Sequence, residues 1–285
     1  MNTIIKSLLS FFSFGFIFFI GCDESPSGFD YQKEVVVSGT LVAGQSVDTL
    51  KLHWTGEVDK FYDRNSLAIS DAIVLIQNAD GTLFDSLAYD PANPGRYYSI
   101  DSTRIIEPAK TYKLYVKTTA PDMREITGTT TVPDTFSIIS ATVRNNDTLK
   151  YDVFAPVNEF YWTPSKFAAT YLPTVFSLDQ DAAMIPKAFY PDTSSEDFQR
   201  PDKIGYRVGL PKEQTNTVLP WVFLSYYGKT QFEIYAVDEN YNDFLNQVAA
   251  QGGELKEIRY KLNGGIGLFG SKTQAKNGIT VYLVP

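Results

Sequence analysis

From Lys33 to Pro133 apolar and polar residues take turns along short runs, and turn-forming pairs punctuate the runs. Period-two patterning buries one face of an extended strand and wets the other, which a helix with its 3.6-residue period cannot do. Leu50, Leu52 and Trp54 fall on one face of such a strand, with Thr49, Lys51 and His53 on the other. Glu34–Gly39 reads as a first strand, and the uninterrupted apolar run in Asp71–Gln77 reads as a central one. Asn78-Ala-Asp-Gly81 supplies a hairpin turn, because Asp-Gly accepts the positive φ that tight hairpins need. Thr82–Leu87 is the returning strand, and Pro94-Gly95 turns the chain into Arg96–Ile100. Tyr112, Leu114 and Val116 alternate with Lys113, Tyr115 and Lys117; Ile126, Gly128, Thr130 and Val132 alternate with threonines. About seven short strands in about 100 residues predict an immunoglobulin-like or prealbumin-like β-sandwich over residues 33–133.

Val132-Pro133-Asp134 marks a boundary, and residues 134–285 read as a second, β-rich unit. Its expected strands are Phe136–Val143, Leu149–Phe154 and Glu159–Thr163, the first two joined by a turn at Asn145-Asn146-Asp147. Residues 179–203, rich in Asp, Pro and Ser, read as a long loop. Trp221–Tyr227 and Gln231–Val237 are expected to form a hairpin around Gly228. One amphipathic helix is predicted at about residues 238–251, with Asp238 as N-cap, Tyr241, Phe244, Leu245 and Val248 on one face, and Gly252-Gly253 ending it. Gly278–Leu283 is the last strand. The expected fold class is mainly β, a sandwich followed by a β-rich second domain with a single C-terminal helix.

The N-terminus carries an address. Lys6 precedes an apolar run from Leu8 to Ile20, the pattern of a secretory signal, and the run is shorter than the roughly 20 residues a spanning helix requires. Phe19-Ile20-Gly21-Cys22 resembles a bacterial lipobox, with Phe19 where leucine is usual. That resemblance implies residues 1–21 as a lipoprotein signal peptide, diacylglycerol on the Cys22 thiol, and residues 22–32 as a flexible tether. Acyl chains at about 0.8 kcal/mol per buried CH₂ would hold the protein at a membrane without a spanning helix. Cys22 is the only cysteine, so no disulfide can form and the body is held by packing. The acidic residues after it, Asp23 and Glu24, resemble the surface-export signals of Bacteroidetes lipoproteins, which favours the cell surface over the periplasm.

Composition narrows the chemistry. With 25 basic and 33 acidic residues, a formal charge of −8 argues against nucleic-acid binding, which draws on clustered Lys and Arg. The lone histidine, His53, is expected on a solvated strand face beside Thr49 and Lys51. A single histidine expected on a solvated strand face argues against Ser-His-Asp catalysis, and with the one cysteine expected to be lipidated, Cys-His catalysis and zinc sites of several His or Cys are excluded. Asp179 with Asp181, or Glu233 with Asp238, are conceivable carboxylate pairs, but no spacing favours them over ordinary surface acids. The chain is therefore expected not to be an enzyme and to need no cofactor. Gly264–Gly270 lacks the Lys-Ser/Thr ending of a phosphate loop and reads as turns and close packing near a sheet edge. Asp179-Gln-Asp181 offers oxygen ligands to calcium without an EF-hand pattern, and no metal site is assigned. Tyr161, Trp162, Trp221, Tyr226 and Tyr227 are the candidate ligand face, with core packing as the competing reading.

Three further features occur in order: Lys33-Glu-Val-Val-Val-Ser-Gly39 followed by Asp48-Thr-Leu-Lys-Leu52; Ile69-Ser-Asp-Ala-Ile-Val-Leu75 with Lys110–Val116 and Thr129-Thr-Thr-Val-Pro133; and a Tyr-bearing helix before Asn263-Gly-Gly-Ile-Gly-Leu-Phe-Gly270. In this the chain resembles the Bacteroidetes outer-membrane lipoproteins grouped as domain of unknown function 4249. The resemblance implies an outer-membrane lipoprotein that accompanies a TonB-dependent transporter, with no catalytic residues. The expected function is that of an accessory ligand- or partner-binding lipoprotein. The alternatives are a structural or adhesion module of the cell surface and a hydrolase working with carboxylates alone.

Overall fold

The period-two patterning is realised as strands, which make up 46% of the chain against 6% helix, so the protein is mainly β as expected. The computed structural model describes residues 31–57, 60–179, 181–186, 203–205, 209–250 and 261–285. The signal peptide, Cys22 and most of the expected loop 179–203 lie outside those residues.

Seven strands come first: β1 (Val35–Val42), β2 (Leu50–Trp54), β3 (Ile73–Asn78), β4 (Leu83–Tyr89), β5 (Arg96–Tyr98), β6 (Thr111–Lys117) and β7 (Glu125–Thr131). Each falls within a few residues of its sequence expectation. Antiparallel pairing joins β1 to β2, β2 to β5 and β5 to β4 in one layer, and β4 to β3, β3 to β6 and β6 to β7 in the other. Val35, Val37, Leu50 and Leu52 from the first layer meet Val74, Ile76, Leu114 and Ile126 from the second in one buried core. Each such side chain contributes about 1.5–3 kcal/mol on full burial, which offsets the ordering of the strands that carry it.

The second part adds β8 (Ile138–Ala141), β9 (Thr148–Lys150), β10 (Asn158–Trp162), β11 (Thr170–Ser177), β12 (Ile204–Gly205), β13 (Leu210–Pro211), β14 (Asn216–Leu219) and β15 (Gly228–Val237). The helix α1 (Glu239–Ala250) follows, then β16 (Leu262–Asn263), β17 (Ile266–Gln274) and β18 (Ile279–Val284). Strands β14, β10 and β8 form a small sheet that covers one face of β11, β15 and β18. Phe160 stacks on Phe232 at 5.2 Å between ring centroids, and Trp162 meets Tyr171 edge-on at 5.4 Å.

Two elements depart from the sequence reading. Trp221–Phe223 forms a turn of 3₁₀-helix rather than a strand, and β15 pairs with β11, β18 and β17 instead of with residues 221–227. The run Trp221–Tyr227 is apolar at both helical and strand spacing, so periodicity alone does not decide it. Strand β11 is not foreseen by the sequence because Pro173 interrupts it, and proline cannot donate to a ladder. The fold tolerates it because β13 pairs with Thr170 and Tyr171, β12 pairs with Val175 and Phe176, and Pro173 lies in the gap between them.

Strand β17 decides how the two parts join. It pairs parallel with β1 from Val36↔Ile266 to Val42↔Lys272, and antiparallel with β15 at Val237↔Lys272 through Tyr235↔Gln274. One sheet therefore runs unbroken through both parts, with Lys272 at the register position paired on both sides. Phe269 and Leu262 enter the first core, while Ala275 enters the second. Gly264–Gly270 is thus no sheet edge but largely an interior strand. At Gly267, with φ +110°, a Cβ would collide with the Val37 carbonyl oxygen, so only glycine allows β17 this close to β1.

Candidate ligand-binding site

Alternation along the shared sheet sends one set of side chains to the cores and the other to its outer face. On the outer face stand Ser38, Thr40 and Val42 of β1, Lys51 of β2, Lys272 of β17, Tyr235 of β15, and Leu172 and Phe176 of β11. The register makes these residues neighbours: Ser38 lies opposite Lys51, Val42 opposite Lys272, and Leu172 opposite Tyr235.

Helix α1 lies over the β17 part of this face. Its start is set by Asp238, whose Oδ1 accepts from the Tyr241 N–H at 3.0 Å in an N-cap, as the sequence predicts. The same oxygen accepts from the Ser271 N–H of β17 at 3.0 Å, and Oδ2 accepts from the Thr130 hydroxyl of β7. One buried carboxylate thus joins the helix to a strand of each part. Gly270 lets the helix approach: a Cβ there would stand 3.2 Å from that of Tyr241 and 3.0 Å from Asp238 Oδ1.

Between helix and sheet opens a cavity of about 520 Å³, lined by Leu172, Phe176, Tyr235, Tyr241, Leu245 and Lys272 among others. A second, more polar cavity of about 400 Å³ lies on the neighbouring part of the face, lined by Ser38, Thr40, Thr49, Lys51, Arg64 and again Lys272. Each lies within the roughly 300–1,000 Å³ of ordinary small-molecule sites. A void of about 10 Å³ between the sheets at Phe160 and Phe232 holds nothing larger than a water.

Lys272 is held where the two cavities meet. Its ammonium sits 4.4 Å from the centroid of the Tyr235 ring, a cation–π contact. The Tyr235 hydroxyl in turn donates to Glu233 Oε2, and Gln231 Nε2 donates to Glu233 Oε1 at 2.6 Å. Buried Glu233 therefore orients Tyr235 beside the cavity. The single acid of the polar cavity, Asp48, is taken up by Arg96 at 2.8 Å and by the Thr49 hydroxyl at 2.8 Å.

The aromatic residues singled out by sequence do not form one face. Trp162 (2% exposed), Trp221 (6%) and Tyr226 (5%) are core residues, and Tyr227 is half-buried. Trp221 donates to the Pro156 carbonyl at 3.1 Å and meets Tyr151 edge-on; Tyr227 meets the same tyrosine. Only Tyr161 (40% exposed) points outward, from β10, where its hydroxyl donates to Glu159. These side chains stabilise the second core, so the packing reading holds for most of them. Cys22 lies outside the described residues.

His53 also differs from its expected setting. It is buried, not solvated, because residues 65–69 and the Pro94-Gly95 turn cross over β2 and bridge it at Ala68. Burial lowers its pKa, and the charges of Arg64 and Lys51 lower it further. Asp179 accepts the Lys229 N–H at 2.7 Å, and its carbonyl accepts from Lys203. Glu233 and Asp238 are five residues apart on extended chain, roughly 17 Å. Among the described residues no group of three or more His, Cys, Asp or Glu gathers as a metal site.

Lys272, Tyr235 and Phe176 are not singled out by sequence. Alternation places Lys51 on the correct outer face, but nothing local shows that β17 and β15 continue that face.

In sequence, no curated protein matches this chain. Among solved structures it is similar to the crystal structure of DIP-gamma IG1+IG2, at 11% identity and TM-score 0.21, covering 90% of this chain and 99% of that one. It is likewise similar to the chicken CNTN1 FN1-FN3 domains, at 9% identity and TM-score 0.21, covering 88% of this chain and 66% of that one. The profile of the family described as Domain of unknown function (DUF4249) matches residues 23–277, so the chain belongs to that family.

Proposed function

We propose that this protein is a non-enzymatic, lipid-anchored outer-membrane lipoprotein that binds a ligand in the groove between helix α1 and the continuous sheet. The observation that carries the reading is the groove itself: about 520 Å³, walled by aromatic and aliphatic side chains together with threonines and asparagines, with a positioned Lys272 at one end. The buried acids behind the groove are engaged in structure: Asp238 caps the helix and ties two strands, and Glu233 orients Tyr235. Neither is placed as a proton donor beside a partner carboxylate. A module serving as a spacer alone has no use for such a groove.

The lipobox at Cys22 supports the anchor, and the tether after it leaves the folded body free to meet a partner at the membrane. The partner we infer from the family resemblance is a TonB-dependent transporter. Two measurements test the reading. Mass spectrometry of the N-terminal peptide of the native protein is expected to find diacylglyceryl-modified Cys22; an unmodified leader still attached would sink the anchor. Pull-down of the intact lipoprotein in gentle detergent is expected to bring the transporter with it, and a Leu245→Trp variant, which fills the groove, should release bound ligand without releasing the transporter. Recovery of the same small molecules from parent and filled variant would remove the groove from the function.

A further inference from the structure

The two cavities differ in chemistry while sharing Lys272. One is walled by Leu172, Phe176, Tyr235, Tyr241 and Leu245, the other by hydroxyls together with Lys51 and Arg64. They lie on one sheet face, so their long axis crosses the strands β2, β1, β17, β15 and β11; at about 4.8 Å per strand this spans roughly 19 Å.

The charges at the polar end are unusual for this chain. The protein carries a net charge of −8, yet three cations converge on this cavity. Asp48, the acid in its wall, bonds Thr49 and Arg96, the latter shared with Asp90, so one acid stands against the three cations. Among the described residues neither Lys51 nor Arg64 has an ion-pair partner, and the field of both is felt by the buried His53 imidazole, which they help to keep neutral. Like charges that outnumber the acids beside them repel, and an incoming anion relieves that repulsion.

We infer that the groove takes an organic anion: a carboxylate or phosphate held by Lys51, Arg64 and Lys272, with an apolar or aromatic body lying against Tyr235, Phe176 and Leu245. This rests on the groove being the binding site and names the class of ligand it selects. The Tyr235 ring offers the body a face beside the ammonium, so the junction of the two cavities serves both ends of the ligand. A neutral ligand of the same shape would fill the apolar part and leave Lys51 and Arg64 without an anion.

The test uses the full chain in phosphatidylcholine vesicles, with protein-free vesicles as the blank. Naphthalene-2-carboxylate, naphthalene-2-methanol and acetate are titrated calorimetrically. A charge-assisted contact at a partly dry site amounts to roughly tenfold or more in affinity. The acid is expected to bind at least about tenfold tighter than either the alcohol or acetate, and its advantage should shrink at high salt. Changing Lys51→Gln and Arg64→Gln together should remove most of the acid's advantage over the alcohol and leave the alcohol unaffected. Melting temperature is the control for folding, and it should not fall because neither residue holds a structural ion pair. Equal affinity for acid and alcohol would overturn the anion assignment while leaving a binding groove in place. Parental affinity of the double variant for the acid would overturn it too. So would the absence of binding by all three probes, whereas the anchor and transporter measurements would be untouched by any of these results.

Discussion

Asp238→Ala should destabilise the protein by about 2–4 kcal/mol, although the residue lines neither cavity. Its side chain is 4% exposed and accepts from the Tyr241 N–H, the Ser271 N–H and the Thr130 hydroxyl. Loss of the cap costs about 0.5–2 kcal/mol. The Ser271 N–H, buried in β17, then loses its acceptor, which costs about 1–3 kcal/mol. Thr130 adds little, since its hydroxyl also reaches Ser271 Oγ at 2.7 Å. Asp238→Asn keeps an oxygen at the Oδ1 position and should stay within about 1 kcal/mol of the parent. The pH dependence separates the two further. Burial raises the Asp238 carboxyl above its ordinary 3.8, and the hydrogen bonds from Thr130, Ser271, Tyr241 and Asn240 oppose that only in part. The folded chain therefore keeps this proton to higher pH than the unfolded chain. The contribution of Asp238 to stability therefore falls as pH rises from 3.8 through the folded value, and the Asp238→Asn variant, whose amide cannot ionise, removes that contribution from the profile. Urea unfolding followed by tryptophan fluorescence, repeated across that range, reads both effects. Trp54 reports on the first part, and Trp162 and Trp221 report on the second. Equal loss for the Ala and Asn variants, or a loss below about 0.5 kcal/mol for Ala, would refute the assignment of Asp238 as the joint between the parts.

Three other outcomes are expected. Because burial and the nearby Arg64 and Lys51 charges depress the His53 pKa below 6.5, the unfolded chain binds this proton first as pH falls; stability should be lost below 6.5, and His53→Gln should flatten that part of a stability–pH profile. Gly267→Ala should abolish β1–β17 pairing, since φ +110° and the Val37 carbonyl both forbid a side chain; circular dichroism of the purified variant should show lost strand content, and a parental spectrum would contradict the parallel insertion of β17. Phe269→Ala, which empties a buried ring site in the first core, should cost about 3–5 kcal/mol by denaturant melting, and a cost confined to the second part's tryptophans would place Phe269 in the wrong core.

Periodicity carries much of the fold. The strands β1 to β7 and the helix at Glu239–Ala250 follow from spacing, turn residues and a capping Asp, all of which act within a few residues of chain. Strand β11 escapes because Pro173 breaks the local pattern, and the segment Trp221–Phe223 is ambiguous because its apolar residues suit either period. The aromatic pairs around Trp162 and Trp221 look equally suited to a ligand face or to a core; only the small sheet of β8, β10 and β14 closing over them settles that they are buried. His53 is misplaced by sequence for a similar reason, since nothing in β2 reveals that residues 65–69 cross over it.

By itself, the amino-acid sequence determined which residues alternate, where the chain turns, where its helix begins, and that no disulfide can brace it. The tertiary structure alone decided that the glycine-rich segment near the C-terminus inserts beside the first strand, that two sheets become one, and that Lys51, Lys272 and Tyr235 come to share a groove. The reason is physical: facing is set by local spacing, whereas the choice of strand partner depends on contacts across more than 200 residues of chain, as in Val36↔Ile266, and on the absence of a side chain at Gly267 that lets the backbones meet.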